Sequence, residues 1–397
     1  MTQNNLKIHK WVLPVIVLSQ FCCISLWFAG NGVMPELVAS FNLSNQALGH
    51  LTSAVQFGFI SGTLLFALLT IADRYSPSKV FLISAIIGGG CNLTMLWEHN
   101  TLVSLLIFRF LTGFFLAGIY PVGMKIAADY FKEGLGKSLG YLVGALVLGT
   151  ALPHLLKDTA GSSSWSSVVI ITTCLSLFGG IFMALLVPDG PHRKAKLQLD
   201  TQTLYKVFLN KPFRSAAMGY FGHMWELYAF WAFVPVIVTT YSEMSITTSL
   251  NIPLWSFLII AAGSLGCVMG GYVSQWAGIK STAFTTLLLS LGCCVFSPWA
   301  FGFESEYLFL GFMLFWGMVV IADSPLFSTL VANNASPEIK GTALTIVNCI
   351  GFAITILSIQ LLTWLQEILD PTIIYVPLMV GPLLGLFGLR FKIKNWR

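Results

Sequence analysis

Twelve continuous apolar runs leave this chain few folds to choose from. They lie at roughly 11–37, 46–71, 79–97, 101–124, 136–156, 165–187, 213–240, 251–276, 281–302, 307–330, 341–363 and 373–391, each near or above the ~20 residues a helix needs to cross a bilayer. Backbone in hydrocarbon must satisfy its own N–H and C=O groups, so such runs fold as helices or closed barrels. The runs are solid rather than alternating, which argues against barrel strands. Hydrophobic residues make up 56% of the 397 positions and charged residues only 9%, where a soluble domain carries about 25% charged residues. The expectation is an all-α, multi-pass integral membrane protein of twelve helices. Lys7, His9 and Lys10 lead straight into the first run without a convincing cleavage site, so that helix is expected to be retained.

The basic residues set the orientation. With the N-terminus inside, 19 of the 21 Lys and Arg fall in cytoplasmic segments, leaving Lys157 outside and Arg109 within a helix. The positive-inside rule therefore predicts cytoplasmic termini, and membrane anchoring accounts for the net charge of +5 without nucleic acid. The long polar interval at 188–212 predicts a linker between an N-terminal six-helix bundle (1–187) and a C-terminal one (213–397). Helix 4 carries Gly113 before Tyr120-Pro121 and helix 10 carries Gly317 before Ser324-Pro325, with the same Gly-to-Pro spacing. Such internal similarity is the mark of a repeat. Gly58 and Gly62, Gly136, Gly140 and Gly144, and Gly266 and Gly270 fall at i, i+4 on helices 2, 5 and 8, a spacing that lets helices approach closely.

These features together resemble the major facilitator superfamily over essentially the whole chain. Ala72-Asp73-Arg74 with Lys79 is similar to that superfamily's loop 2–3 signature, although Leu69 stands in place of its leading glycine and Ser76-Pro77 in place of a later glycine and arginine. "RFLTG", Arg109 to Gly113, resembles its fourth-helix signature. The fifth-helix glycine-proline signature of antiporters is not recognisable in Gly144 to Pro153. The resemblance implies two six-helix bundles that rock about a central site, with helices 2, 5, 8 and 11 between them. It also implies a gating role for Asp73, Arg74 and Lys79, with Asp73 engaging the C-terminal half in one state.

Ionisable groups deep in apolar runs are costly, and by default they mark function. Among the acids only Glu226 and Asp323 are placed well inside a helix, among the histidines only His223, and among the bases only Arg109. His223 and Glu226 share a helical face at i, i+3. They are read either as a proton site, with Asp323 as a third candidate, or as a His–Glu hydrogen bond that pins the helix. Arg109 is read as the anchor for an anionic solute or as the counter-charge of Glu226 or Asp323. Gly30, Asn31, Gly32 and Pro35 predict a bend in helix 1. Trp27, Asn31, Gln56, Tyr120, Trp225, Tyr228, Trp231 and Asn348 are the candidate lining of a solute site.

There is no phosphate-binding Gly-Lys-Ser/Thr loop, no Cys-x-x-Cys and no metal-ligand spacing, so no cofactor or metal is expected. The reading is a monomeric, non-enzymatic secondary transporter in a bacterial inner membrane, moving a small polar or anionic organic solute with protons. The alternatives are an exporter of amphipathic compounds and a non-transporting membrane receptor or intramembrane enzyme.

Overall fold

The computed structural model describes residues 10–131, 135–160, 165–193, 208–245, 249–336 and 340–390. Residues 1–9, 194–207 and 391–397 lie outside them, and so do both termini and most of the expected linker. The described residues are helical, without strands. The first span is broken into Val12–Ile24, Ala29–Gly32 and Met34–Phe41. Spans 2 to 6 are Ala47–Leu68, Pro77–Leu93, Leu102–Leu116 with Tyr120–Tyr130, Leu135–Ala160 and Ser166–Leu186. Spans 7 to 11 are Lys211–Met244, Ile252–Ala277, Ile279–Ala300, Glu306–Ala322 with Ser324–Asn333, and Lys340–Ile368. A 3-10 turn, Val376–Met379, runs into Val380–Leu389 as span 12. Ten of these helices are long and apolar enough to cross a membrane, and the first and last spans contain the shorter ones.

Local chemistry sets the ends and breaks. Thr101 and Ser104 form a reciprocal capping box that starts span 4, and the Asn251 side chain accepts from the Leu254 N–H to start span 8. Gly278, at φ +85°, makes the turn into span 9. Spans 4 and 10 break at corresponding places. Pro121 and Pro325 each sit second in the lower helix piece, where a missing N–H frees the carbonyl four residues earlier. In span 10 that carbonyl, Ile321, accepts a weak 3.5 Å contact from the Cys267 thiol. The bend anticipated in span 1 is present as the irregular turn from Ser25 to Phe28 and the short Ala29–Gly32 helix.

The glycines show how deeply the repeat is built in. A Cβ on Gly62 would collide with the Phe114 carbonyl, and one on Gly266 with the Met318 carbonyl. Gly113 stands against the Val55 carbonyl and Gly317 against Ile259. Each residue lies 204 positions beyond its counterpart (62 to 266, 114 to 318, 113 to 317, 55 to 259). Spans 2 and 4 thus cross in the N-terminal half as spans 8 and 10 do in the C-terminal half. Gly58, Gly62, Gly266 and Gly270 therefore face their own half and not the other, because a backbone-to-backbone crossing needs a missing side chain.

The halves meet where span 2 packs on span 11 and span 5 on span 8. Among the described residues, three side-chain hydrogen bonds join them: Gln46 to Glu367 at 2.6 Å, Gln360 to Ser53 at 2.8 Å, and Asn251 to Asp158 at 2.5 Å. All three lie toward the end that carries Glu98, Glu304 and Asp370, here called the acidic end. Toward the basic end, which carries Arg74, Lys125 and Arg390, Gly140 and Gly144 of span 5 meet nothing within 4 Å. The hydrogen bonds between the halves thus lie at the acidic end, while toward the basic end span 5 has open space beside Gly140 and Gly144 but still touches the Ser324–Asn333 piece of span 10.

Candidate functional site

The bend of span 1 is the hub of the half interface. Trp27 meets Phe59 of span 2 in a tilted contact at 4.7 Å and stacks on Tyr228 of span 7 and Phe352 of span 11 at 5.7 Å each. Phe28 meets Trp231 edge-on at 6.4 Å. Asn31 donates to Thr52 at 2.8 Å, and Gly32 lies against Pro153 of span 5. Gln56, one turn from Thr52, is fully buried. Asn348 sits one turn before Phe352 on span 11, and Tyr120 opens the lower piece of span 4, half-buried. Trp225 leaves the set, because its indole donates to the Pro377 carbonyl of span 12 at 3.2 Å, inside the C-terminal half.

Arg109 is 1% exposed and faces that hub from span 4. Its guanidinium donates to the Leu26 carbonyl, to the Trp27 carbonyl at 2.6 Å and to Asn92 Oδ1 at 3.2 Å. Both carbonyls are released by the break in span 1 and lie just past the C-terminal end of its first helix, where dipole and lone pairs favour a cation. Asn92 is held in turn by Thr172, Thr173 and the Val169 carbonyl of span 6. Among the described residues no carboxylate lies within ion-pair distance of Arg109. The expected pairing with Glu226 or Asp323 is therefore not made. Carbonyl dipoles already balance this charge, and both acids point into the opposite half.

The two ionisable groups of span 7 also part company. His223 Nδ1 approaches Asp323 Oδ1 of span 10 at 2.8 Å, with both side chains buried. The ring N–H is not aligned on the oxygen, so this is a close contact that is an ion pair only when the ring is protonated. Glu226 Oε1 accepts from Ser290 of span 9 at 2.6 Å and from the Trp316 indole at 2.7 Å. The His–Glu hydrogen bond allowed by their spacing does not form, because each finds a closer partner on another helix. Three titratable groups are thus gathered between spans 7, 9 and 10. The sequence reading also missed one histidine. His154 is 2% exposed within span 5, whose helix continues to Ala160, past the expected end at 156.

A family model described as Major Facilitator Superfamily matches residues 16–359. The chain belongs to the Major Facilitator Superfamily. It is 26% identical over 214 residues to the 4-hydroxybenzoate transporter PcaK of Acinetobacter baylyi, covering 50% of this chain and 46% of that one. The sialic acid transporter NanX of Escherichia coli is 26% identical over 200 residues, covering 49% and 47%. These matches span about half the length of either relative. Among solved structures, the nucleoside transporter NupG superposes with a TM-score of 0.72 at 15% identity, covering 96% of this chain and all of that one. A bacterial homolog to the human lysosomal transporter Spinster, inward-facing and unoccupied, superposes at 0.69 and 14% identity, covering 96% and 94%.

As a member of that superfamily, the chain carries the loop 2–3 residues at its basic end. Asp73 pairs with Lys125 of span 4 at 3.0 Å, and Lys125 also holds Asp129. Arg193 donates to the Asp73 and Tyr75 carbonyls, and Arg74 Nε reaches Thr70 at 3.0 Å. Lys79 is exposed. Asp73 is thus held within its own half, and among the described residues its partners all belong to that half.

Proposed function

We propose that this chain is a secondary active transporter that moves a small polar or anionic organic solute by alternating access, coupled to protons. What supports the reading is the half interface: hydrogen bonds join it at the acidic end, aromatic stacks fill it at mid-depth, and span 5 has open space beside Gly140 and Gly144 toward the basic end. A two-fold repeat joined in this way has a second arrangement available, closed at the other end. The basic end is assigned to the cytoplasm of a bacterial inner membrane by the positive-inside rule, which makes this conformation inward-facing. Asp73, Arg74 and Lys79 then act as the gate that docks on the C-terminal half when the basic end closes. The transporter works as a monomer.

His223, Glu226 and Asp323 are assigned to proton handling, since ionisable groups buried at this depth otherwise carry a large cost. Arg109 is assigned to support of the span 1 bend and not to solute contact, because its acceptors are already in place. The solute class is supported by the relatives, whose names specify 4-hydroxybenzoate and sialic acid, both organic acids. The ring-rich centre favours a second reading, export of amphipathic compounds. Direction of flux in intact cells separates the two, as accumulation marks import and depletion marks export. Reconstituted protein is expected to drive solute uptake under an imposed pH gradient. Vesicles without flux of any organic solute under any ion gradient would remove the transporter reading, and a chemical change in their lipid would point to an enzyme.

A further inference from the structure

The repeat that relates the two halves differs at one crossing, and the difference leaves a groove. In the N-terminal half the Phe66 ring of span 2 lies over Gly118 of span 4, where an added Cβ would meet it at 2.9 Å. Phe66 also packs edge-on against Phe114 at 6.0 Å, Phe114 packs against Phe115 at 5.3 Å, and Phe115 lies against Gly88 of span 3. Three rings thus fill the angle between spans 2, 3 and 4. The residues 204 positions beyond Phe66, Phe114, Phe115 and Gly118 are Gly270, Met318, Val319 and Ala322. The backbones still meet there, since a Cβ on Gly270 would lie 2.7 Å from the Ala322 carbonyl. No ring stands at these positions. In their place is a groove of about 250 Å³, with Gly270, Val273, Met318 and Ala322 on one side and Thr285 and Leu289 of span 9 on the other.

Span 9 packs on spans 8, 10 and 12 of its own half, which puts the groove on the outer wall of the bundle. Leu289 and Phe315 in its lining are exposed along apolar spans, so in a bilayer this surface meets hydrocarbon. Thr282 and Thr286 also line it, but their hydroxyls turn back on the Gly278 and Thr282 carbonyls at 2.9 Å each, so the wall stays apolar. Toward the basic end the groove runs out at Ala277 and Ser281, beside Lys280 and the exposed indole of Trp276, a side chain suited to the headgroup level. Lys280 makes no ion pair among the described residues. No side chain caps the start of span 9, whose first N–H groups point toward the basic end. In a membrane, apolar contact alone does not select an occupant, because every lipid tail is equally apolar. Shape and charge do: a vacancy the width of a ring admits one acyl chain, and a cationic mouth favours an anionic headgroup. We propose that the groove between spans 8, 9 and 10 binds one anionic phospholipid, with an acyl chain along span 9 and the phosphate at Lys280. Ser281 and Leu289 lie about 12 Å apart along that helix, the length the chain fills. Ala322 is the last residue of the upper piece of span 10, so an occupied groove braces that span beside its break. The site needs only that these spans cross a bilayer and is independent of the transport reading.

Purified full-length protein in detergent is titrated with dioleoylphosphatidylglycerol, with dioleoylphosphatidylcholine and with inorganic phosphate, followed by thermal shift and by native mass spectrometry of the lipid retained. The anionic lipid is expected to raise the melting temperature, to be retained as one copy, and to bind at least about tenfold more tightly than the zwitterionic one. Lys280→Gln is expected to bring the two lipids within about twofold of each other. Met318→Phe, which copies Phe114, and Thr285→Phe on the facing wall each put a ring into the groove. Both variants are expected to bind the anionic lipid about tenfold more weakly, while melting in the absence of lipid at or above the wild-type temperature. Equal affinity of the wild type for the two lipids, or a shift reproduced by inorganic phosphate alone, overturns the proposal. So does a lipid preference that survives Lys280→Gln, or undiminished binding of the anionic lipid by a ring variant that melts normally.

Discussion

Glu226 accepts from Ser290 and from Trp316 on one oxygen, and the Cys294 thiol stands beside the same carboxyl group. A glutamine carbonyl can accept the same two, so Glu226→Gln removes the titratable proton with little loss of packing. The expected result in proteoliposomes is loss of net transport driven by a pH gradient, with solute exchange retained. Near wild-type pH-driven rates in the variant would leave Glu226 a structural acceptor. Arg109→Lys makes the contrast. A lysine keeps the charge but cannot span Leu26, Trp27 and Asn92 as the planar fork does. Thermal denaturation in detergent should show a loss on the order of 2–3 kcal/mol, while solute affinity falls much less. A large affinity loss in a fully stable variant would restore Arg109 as the solute anchor.

At the scale of the helix, the glycines of one face do two different jobs. Gly113 and Gly317 sit against backbone of the facing helix, which cannot yield as a side-chain tip can. Gly113→Ala and Gly317→Ala should each destabilise by about 1–3 kcal/mol, read from the melting temperature of purified protein. Gly144 meets nothing within 4 Å in this conformation, so Gly144→Ala should leave that melting temperature nearly unchanged. Transport should nonetheless slow, since span 5 must approach span 8 there when the basic end closes. Unaltered transport in this variant would mean that the spans do not close at that level.

For the whole molecule, opening the acidic end means breaking the Trp27 stacks on Tyr228 and Phe352, the Phe59–Phe352 contact and three hydrogen bonds between halves. Aromatic pairs contribute about 0.5–1.5 kcal/mol each and hydrogen bonds a similar amount, more with a charged partner. The sum is several kcal/mol, which contacts at the basic end or solute binding must offset if both states are to be visited. Weakening one charge-assisted bond should therefore shift the balance. Glu367→Gln is expected to move the population toward the acidic-end-open state by about five- to tenfold, measured as faster labelling of a cysteine placed at Ser53. Slower or unchanged labelling would exclude Gln46–Glu367 as part of the seal.

Span count, the existence of a bend in span 1 and the repeat around Gly113 and Gly317 were legible in the sequence, because hydrocarbon enforces helices and because proline and glycine act on the local backbone, but the main break of span 1 falls at Ser25 to Phe28, ahead of its glycines. The presence of costly ionisable groups at Arg109, His223, Glu226 and Asp323 was legible for the same reason. Their partners were not. A spacing of i, i+3 places His223 and Glu226 on one face, but helix rotation and the neighbours on spans 9 and 10 decide which atoms each meets. Arg109 could be matched to a carboxylate only on paper, since the carbonyls that hold it are exposed by a break in another helix. The direction of the glycines on spans 2 and 8 and the exit of Trp225 toward span 12 likewise follow from how helices cross. That the chain forms a bundle of twelve spans could be read from its residues, because solvation acts on each segment alone. Which side chains face one another came from the packing of the helices, because it depends on contacts between segments far apart in the chain.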